Sequence, residues 1–314
     1  MSEIVKNLWG KLYAWALPSA LTLGVYWLFV EPKTKIVTAW LVNPSDAEKA
    51  AIFVALSAAI AFSLNTFSSP LYRILEGYLF WPRWLQNQGM KRQRQRKKRL
   101  EESVARGGWR QGLDLEKLGR YPKLNDQIVP TRFGNAIRSF ETYGKTRFNL
   151  DALTLWYELC AVAPKYIQTE INNARASVDF FVALIYLSGT LSIVTFVIAA
   201  CEDFEHSILI VCILAFVVTL LCHWLAVRAT SEWGYTVQAL VNCSRVKLAD
   251  SLGLRFPKTL KEEKVMWGLV TSYAFFCKAR DGAALDRFRK KPETARSMNI
   301  RKPVSTRRRR TARR

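Results

Sequence analysis

Histidine is nearly missing from this 314-residue chain: His206 and His223 are the only two. Both fall in or beside apolar stretches, so the polar regions have no histidine base for Ser/His/Asp or Cys/His catalysis. Cys160, Cys201, Cys212, Cys222, Cys243 and Cys277 form no C-x-x-C pair, which argues against a zinc site or a disulfide framework. No G-x-x-x-x-G-K-S/T loop is present to cradle a nucleotide phosphate. Acidic residues are scarce, 25 Asp and Glu against 47 Lys and Arg, for a net charge of +22. Charge of either sign is absent from four stretches, Leu12–Val30, Ala50–Phe67, Phe180–Ala200 and Ile208–Val227.

What is present is segregated. Half the residues are apolar, and one globule cannot hide that half while carrying +22. Each uncharged stretch is about as long as the roughly 20 residues a helix needs to cross a hydrocarbon core of about 30 Å. The first has no small-residue cleavage site after Val30 and reads as a retained helix rather than a secretory signal. Of the 47 Lys and Arg, 44 lie at the N-terminus, in the 69–179 segment or beyond Val227, which places both termini and the long loop in the cytoplasm. The expected fold is all-α, a four-helix transmembrane protein with two hairpins, the second extended into a helical cytoplasmic unit.

Five regions follow. Residues 1–69 form the first hairpin, where Ala16, Ala20 and Gly24 in one helix and Ala51, Ala55, Ala59 and Ser63 in the other recur at the spacing that lets membrane helices approach closely. Pro18 is expected to kink its helix, and Trp40 suits the outer interface. Residues 70–178 begin with an aromatic, interfacial segment to Leu85, followed by the cations Lys91, Arg92, Arg94, Arg96, Lys97, Lys98 and Arg99 within nine residues. A short helix is expected near Asp114–Leu118, another over Gly134–Tyr143, and a third from Asp151, as N-cap, through Val162. Residues 179–228 are the second hairpin. Lys165–Val178 holds no Gly or Pro, so its first helix should begin after Pro164 and run unbroken, while its second should continue to about Gly253. A register that sets Asp179 against Arg228 also sets Arg175 against Glu232. Residues 229–289 are cytoplasmic helices, including one opened by the capping box Thr259-Leu-Lys-Glu262 with Met266, Val270, Tyr273 and Cys277 on its packing face. Residues 290–314 have the composition of a disordered basic tail.

Three stretches, Pro70-Leu-Tyr-Arg-Ile-Leu-Glu-Gly-Tyr78, Pro130-Thr-Arg-Phe-Gly-Asn135, and Leu252-Gly-Leu-Arg-Phe-Pro257 with Glu262, Glu263 and Trp267, resemble an uncharacterised family of bacterial integral membrane proteins. The resemblance implies an inner-membrane location and no chemistry.

Candidate sites follow from residue type. Cys201-Glu-Asp-Phe-Glu-His206 holds five potential metal ligands, but so short a turn cannot wrap them around one ion, and neither a metal nor a cofactor is expected. His223 can titrate, although no embedded carboxylate stands by to relay a proton, and an interfacial role beside Trp224 is the plainer account. Arg132 and Asn135 sit at a helix start, where an anion can be held; Gly134 relaxing a turn capped by Asn135 is the simpler alternative. With Glu141 and Asp151 they are the ligand or partner candidates, and nothing in the sequence shows that the four converge.

The seven cations suit an anionic leaflet, at about 1 kcal/mol each. Nucleic acid is a less favoured partner, because no aromatics interleave with them for base stacking. The expected function is a membrane-anchored scaffold or regulatory protein that binds anionic lipid and a protein partner or a second copy of itself, rather than an enzyme. A channel lined by Ser188, Ser192, Thr195 and Asn65 and a membrane-bound enzyme of unknown reaction are the alternatives.

Overall fold

Every regular element among the described residues is a helix. The computed structural model describes residues 3–36, 45–201 and 205–290, and the readings of Trp40, Glu202, Asp203 and the basic tail from Lys291 fall outside them. In chain order the helices are α1 (Glu3–Val25), α2 (Glu31–Thr34), α3 (Asp46–Thr66), α4 (Ser68–Glu76), α5 (Arg83–Arg106), α6 (Gln111–Gly119) and α7 (Arg132–Glu141). There follow α8 (Tyr143–Phe148), α9 (Trp156–Val162), α10 (Lys165–Cys201), α11 (His206–Ser251), α12 (Leu260–Phe276) and α13 (Ala279–Leu285).

Three of them, α3, α10 and α11, are long and apolar enough to cross a membrane. This is compatible with a multi-pass membrane protein. The first apolar stretch is helical but not one α-helix: α1 gives way to π-helical Tyr26–Val30 before α2. Pro18 lies inside α1 and has no N–H to offer the preceding turn, while Ser19 Oγ donates to the Trp15 carbonyl at 2.8 Å. α3 opens with a complete capping box: Ser45 Oγ accepts from the Glu48 N–H at 3.3 Å, and Glu48 Oε2 accepts from the Ser45 N–H at 2.7 Å.

α10 has 37 residues and α11 has 46. At about 1.5 Å per residue they span about 55 and 69 Å, well beyond the roughly 30 Å of a hydrocarbon core. Both continue unbroken beyond their apolar stretches, α10 as the lack of Gly and Pro in Lys165–Val178 predicts and α11 to Ser251, just before Gly253. They pack on each other through Val178, Val182 and Ile185 on one side and Cys222, Ala226 and Val237 on the other. Ser188 and Thr219 share a hydrogen bond at 2.8 Å in the same register that aligns Asp179 with Arg228.

The charges expected to pair in that register do not pair across it. Asp179 accepts from Tyr72 Oη at 2.7 Å and lies 3.8 Å from Arg175 on its own helix, and Arg228 stacks 3.9 Å over the Trp224 ring. Helical spacing brings Arg175 and Trp224 nearer to their partners than any cross-helix carboxylate or cation. Glu232 has no ion pair among the described residues. The hydroxyls proposed for a channel are also committed to helix packing. Ser192 Oγ donates to the Cys212 carbonyl at 3.0 Å and Thr195 Oγ1 to the Leu191 carbonyl at 2.7 Å, with Ser188, Ser192 and Thr195 all buried.

α1 lies against α10 as well as α3. Tyr13 stacks on Phe180 with ring centroids 5.1 Å apart, and Ala14 and Trp15 are buried beside Val182 and Ala183. In α3 only Ser57 and Ala61 are buried, whereas Ala51, Ala55, Ala59 and Ser63 are exposed. The α3 half of the small-residue stripe expected to seal the first hairpin therefore faces outward, whereas Ala16, Ala20 and Gly24 of α1 are half-buried.

The polar unit has its own core of Leu150, Leu159, Leu240, Leu248, Met266 and Trp267. Thr259 caps α12, accepting from the Glu262 N–H at 3.3 Å, but its packing face is Glu263, Met266, Trp267 and Val270. Tyr273 is exposed, and Cys277 is the left-handed C-cap (φ 50°), so the helix ends before the expected stripe does. Glu263 is paired there with Arg245, whose Nη1 reaches both carboxylate oxygens at 2.6 and 2.8 Å.

Candidate polar cavities flanking the α7–α11 contact

The basic run lies on α5, and helical geometry divides it. Lys97 is buried and donates from Nζ to the Lys123 carbonyl at 2.8 Å and to Asn125 Oδ1 at 2.9 Å, so it holds the following loop in place. Arg96, one residue back and about 100° round the helix, lines a cavity. Lys91, Arg92, Arg94, Lys98 and Arg99 are exposed.

That cavity, about 340 Å³, lies between the α5–α6 arm, the start of α7 and the middle of α11. Arg96, Lys117, Arg120, Arg132 and Arg228 line it together with Leu220, His223, Trp224 and Val227, and no carboxylate is among the lining residues. Two cations are partly neutralised from behind: Lys117 lies 3.0 Å from Asp114, and Arg120 pairs with Glu116 while donating to Ser231 Oγ at 2.8 Å. Arg96 and Arg132 have no anionic partner among the described residues, and Arg228 has only the Trp224 ring. The apolar wall comes from the last turns of the uncharged α11 stretch, and Arg228 is the first charge beyond it. A cationic bowl with one apolar side fits a phosphate that carries a hydrocarbon tail.

Arg132 is aimed by the Pro130–Asn135 turn. Thr131, not Asn135, caps α7, its Oγ1 accepting from the Gly134 N–H at 2.9 Å. Asn135 is fully buried and clamps the loop instead. Its Oδ1 accepts from the Val129 N–H at 3.1 Å and its Nδ2 donates to the Val129 and Thr131 carbonyls at 2.8 and 2.6 Å. A Cβ on Gly89 would come within 2.8 Å of Pro130 Cβ and 2.9 Å of its carbonyl oxygen, and one on Gly134 within 2.9 Å of the Glu76 carbonyl. The two sequence stretches Pro70–Tyr78 and Pro130–Asn135 are thus one packed joint between α4, α5 and α7.

A second cavity, about 600 Å³, opens on the other side of α7 and α11. Tyr72, Arg73 and Glu76 of α4, Arg138 and Glu141 of α7, Arg175 of α10 and Trp233 of α11 line it. Arg138 lies 3.4 Å from Glu141, and the Glu76 carboxylate has no hydrogen bond or ion pair among the described residues. Burial, then the charge of Glu141, raises the pKa of Glu76 to about 7 against the pull of Arg73 and Arg138. Burial also raises Glu141 above the ordinary carboxylate range, opposed by Arg138.

The four candidate residues therefore do not gather. Arg132 lines the first cavity, Glu141 the second, and Asn135 is a loop clamp. Asp151 Oδ1 accepts the N–H groups of Leu153 and Thr154 at 3.1 and 3.2 Å, forming a turn ahead of α9, which starts at Trp156 and not at Asp151. Glu76, Arg120 and Trp233 belong to the cavities without having been singled out in the sequence; Glu76 was visible there only as the sole carboxylate of the Pro70–Leu85 segment. No protein-family model, no curated protein and no solved structure matches the chain.

Proposed function

We propose that this is a four-helix inner-membrane protein with both termini cytoplasmic, which works by binding anionic lipid at its inner boundary rather than by turnover. The resemblance to uncharacterised bacterial membrane proteins belongs to the same reading and supplies the location. The observation that carries it is the first cavity: five cations around an apolar wall at the point where the uncharged stretch of α11 ends. The five exposed cations of the Lys91–Arg99 run extend the same charge outward and are available to the leaflet surface or to an acidic protein partner. A protein that holds a lipid phosphate and presents a helical cytoplasmic unit serves as a scaffold or regulator.

The test is lipid retention by native mass spectrometry after extraction from phosphatidylglycerol or phosphatidylcholine nanodiscs. At about 1 kcal/mol per cation, the triple variant Arg96→Gln, Arg132→Gln, Arg228→Gln should lower phosphatidylglycerol retention on the order of a hundredfold. Equal retention by the variant and the natural protein would refute the proposal.

A further inference from the structure

We infer that the second cavity binds a small zwitterion, an ammonium joined to an oxyanion, of the kind carried by an aminophospholipid headgroup. The cavity presents two unmet needs of opposite sense. Glu76 offers a half-buried carboxylate, and Arg73 a guanidinium one turn away, with no side-chain hydrogen bond or ion pair for either among the described residues. Buried polar groups normally find partners, and one ligand with a cation at one end and an anion at the other supplies both.

The lining charges are arranged to match. Glu76 and Glu141 are close enough to interact, and the one cation paired with Glu141, Arg138, is at a loose 3.4 Å. An ammonium placed between the two carboxylates gains charge-assisted hydrogen bonds and relieves their repulsion. Arg175 lines the same cavity and is shared only weakly with Asp179 at 3.8 Å, because that carboxylate already receives Tyr72. Arg73 without an ion pair and Arg175 with only that long contact can receive one oxyanion. A purely anionic ligand would meet the carboxylate pair, and a bare metal ion would lack ligands, since no group of three His, Cys, Asp or Glu converges among the described residues. α4 follows α3 after the single residue Phe67, so the cavity opens beside the end of an apolar helix, where lipid headgroups are available.

The experiment compares nanodiscs of phosphatidylethanolamine, phosphatidylcholine and phosphatidylglycerol, reading co-purified lipid by native mass spectrometry. A parallel arm adds free phosphoethanolamine to the full-length protein in micelles and reads its melting temperature. Phosphatidylethanolamine should be retained over phosphatidylcholine, whose methylated nitrogen cannot donate a hydrogen bond. Glu76→Gln should lower that retention roughly tenfold, the usual worth of a charged hydrogen bond, while leaving phosphatidylglycerol retention unchanged. Arg175→Gln tests the oxyanion end independently, should Glu76→Gln alter the circular dichroism spectrum. A rise in melting temperature with phosphoethanolamine but no lipid preference would support the same site with a soluble ligand. Equal retention of both lipids together with no response to phosphoethanolamine would overturn the inference, as would full retention in both variants. Arg132→Gln with Arg228→Gln acts on the other cavity, so failure there leaves this result readable.

Discussion

Replacing Glu76 by Gln should stabilise the protein at pH 8 and change little at pH 4. The carboxyl has a pKa of about 7 in the fold against an ordinary 4.5, because burial, and then the Glu141 charge, disfavour its ionised form. A raised pKa means that the folded state binds the proton more tightly than the unfolded chain does. The corresponding stability is fully present below about pH 4.5, declines from there and is lost as pH rises through about 7. At about 1.36 kcal/mol per pH unit the full difference exceeds about 3 kcal/mol. Glu76 is only half-buried and its cavity opens to solvent, so screening reduces this to about 2 kcal/mol. For a chain of this size that is a melting-temperature gain of roughly 3 °C at pH 8. Gln keeps the shape and cannot ionise, so the difference between variant and natural protein isolates this group from every other titration. The assay is a set of thermal melts in lipid-free micelles from pH 4 to 8, read by tryptophan fluorescence. Parallel pH profiles for the two proteins would refute the reasoning.

Gly89→Ala should cost about 1–3 kcal/mol in the same melts, because its Cβ would collide with the Pro130 backbone and the joint between α5 and α7 must shift; Gly112→Ala, with open space around it, should not destabilise. Arg245→Met should cost about 3–5 kcal/mol, since it leaves the buried Glu263 carboxylate without its cation, and adding Glu263→Leu should recover much of the loss. Lys97→Gln should lower stability by about 1–3 kcal/mol as the Lys123 carbonyl and Asn125 lose their donor, whereas Lys98→Gln on the exposed face should stay within about 0.5 kcal/mol. A neutral Lys97→Gln would show that the buried lysine does not hold the loop.

Much of the helical layout was legible because its signals are local. The start of α10 after Pro164, its unbroken run, and the end of α11 before Gly253, whose φ is +70°, all follow from where Pro and Gly stand. Local signals failed where neighbours competed for the same group. Asn135 had the right chemistry to cap α7, but Thr131 stands at the N-cap and leaves Asn135 free to clamp the loop. The Asp179–Arg228 and Arg175–Glu232 pairs were reasonable from spacing, yet Arg175 lies one turn from Asp179 and Tyr72 arrives from a distant helix. The alanine stripe of α3 is a real pattern in the chain, but α1 meets the other face of that helix.

The sequence by itself determined that the chain is helical, that its charge and its apolar residues occupy separate stretches, and that a dense block of cations follows the second apolar stretch. Those are properties of consecutive residues, set by spacing, by Pro and Gly, and by the absence of charge. Only the tertiary structure decided which charges share a cavity. Arg96, Arg120, Arg132 and Arg228 come from four separate elements, and Arg120 reaches Ser231 across 111 positions of chain. The packing of α7 between α4 and α11 put Arg132 on one side and Glu141 on the other, within a helix ten residues long. A side chain's face follows from its helix, but what it faces depends on which distant helix packs there.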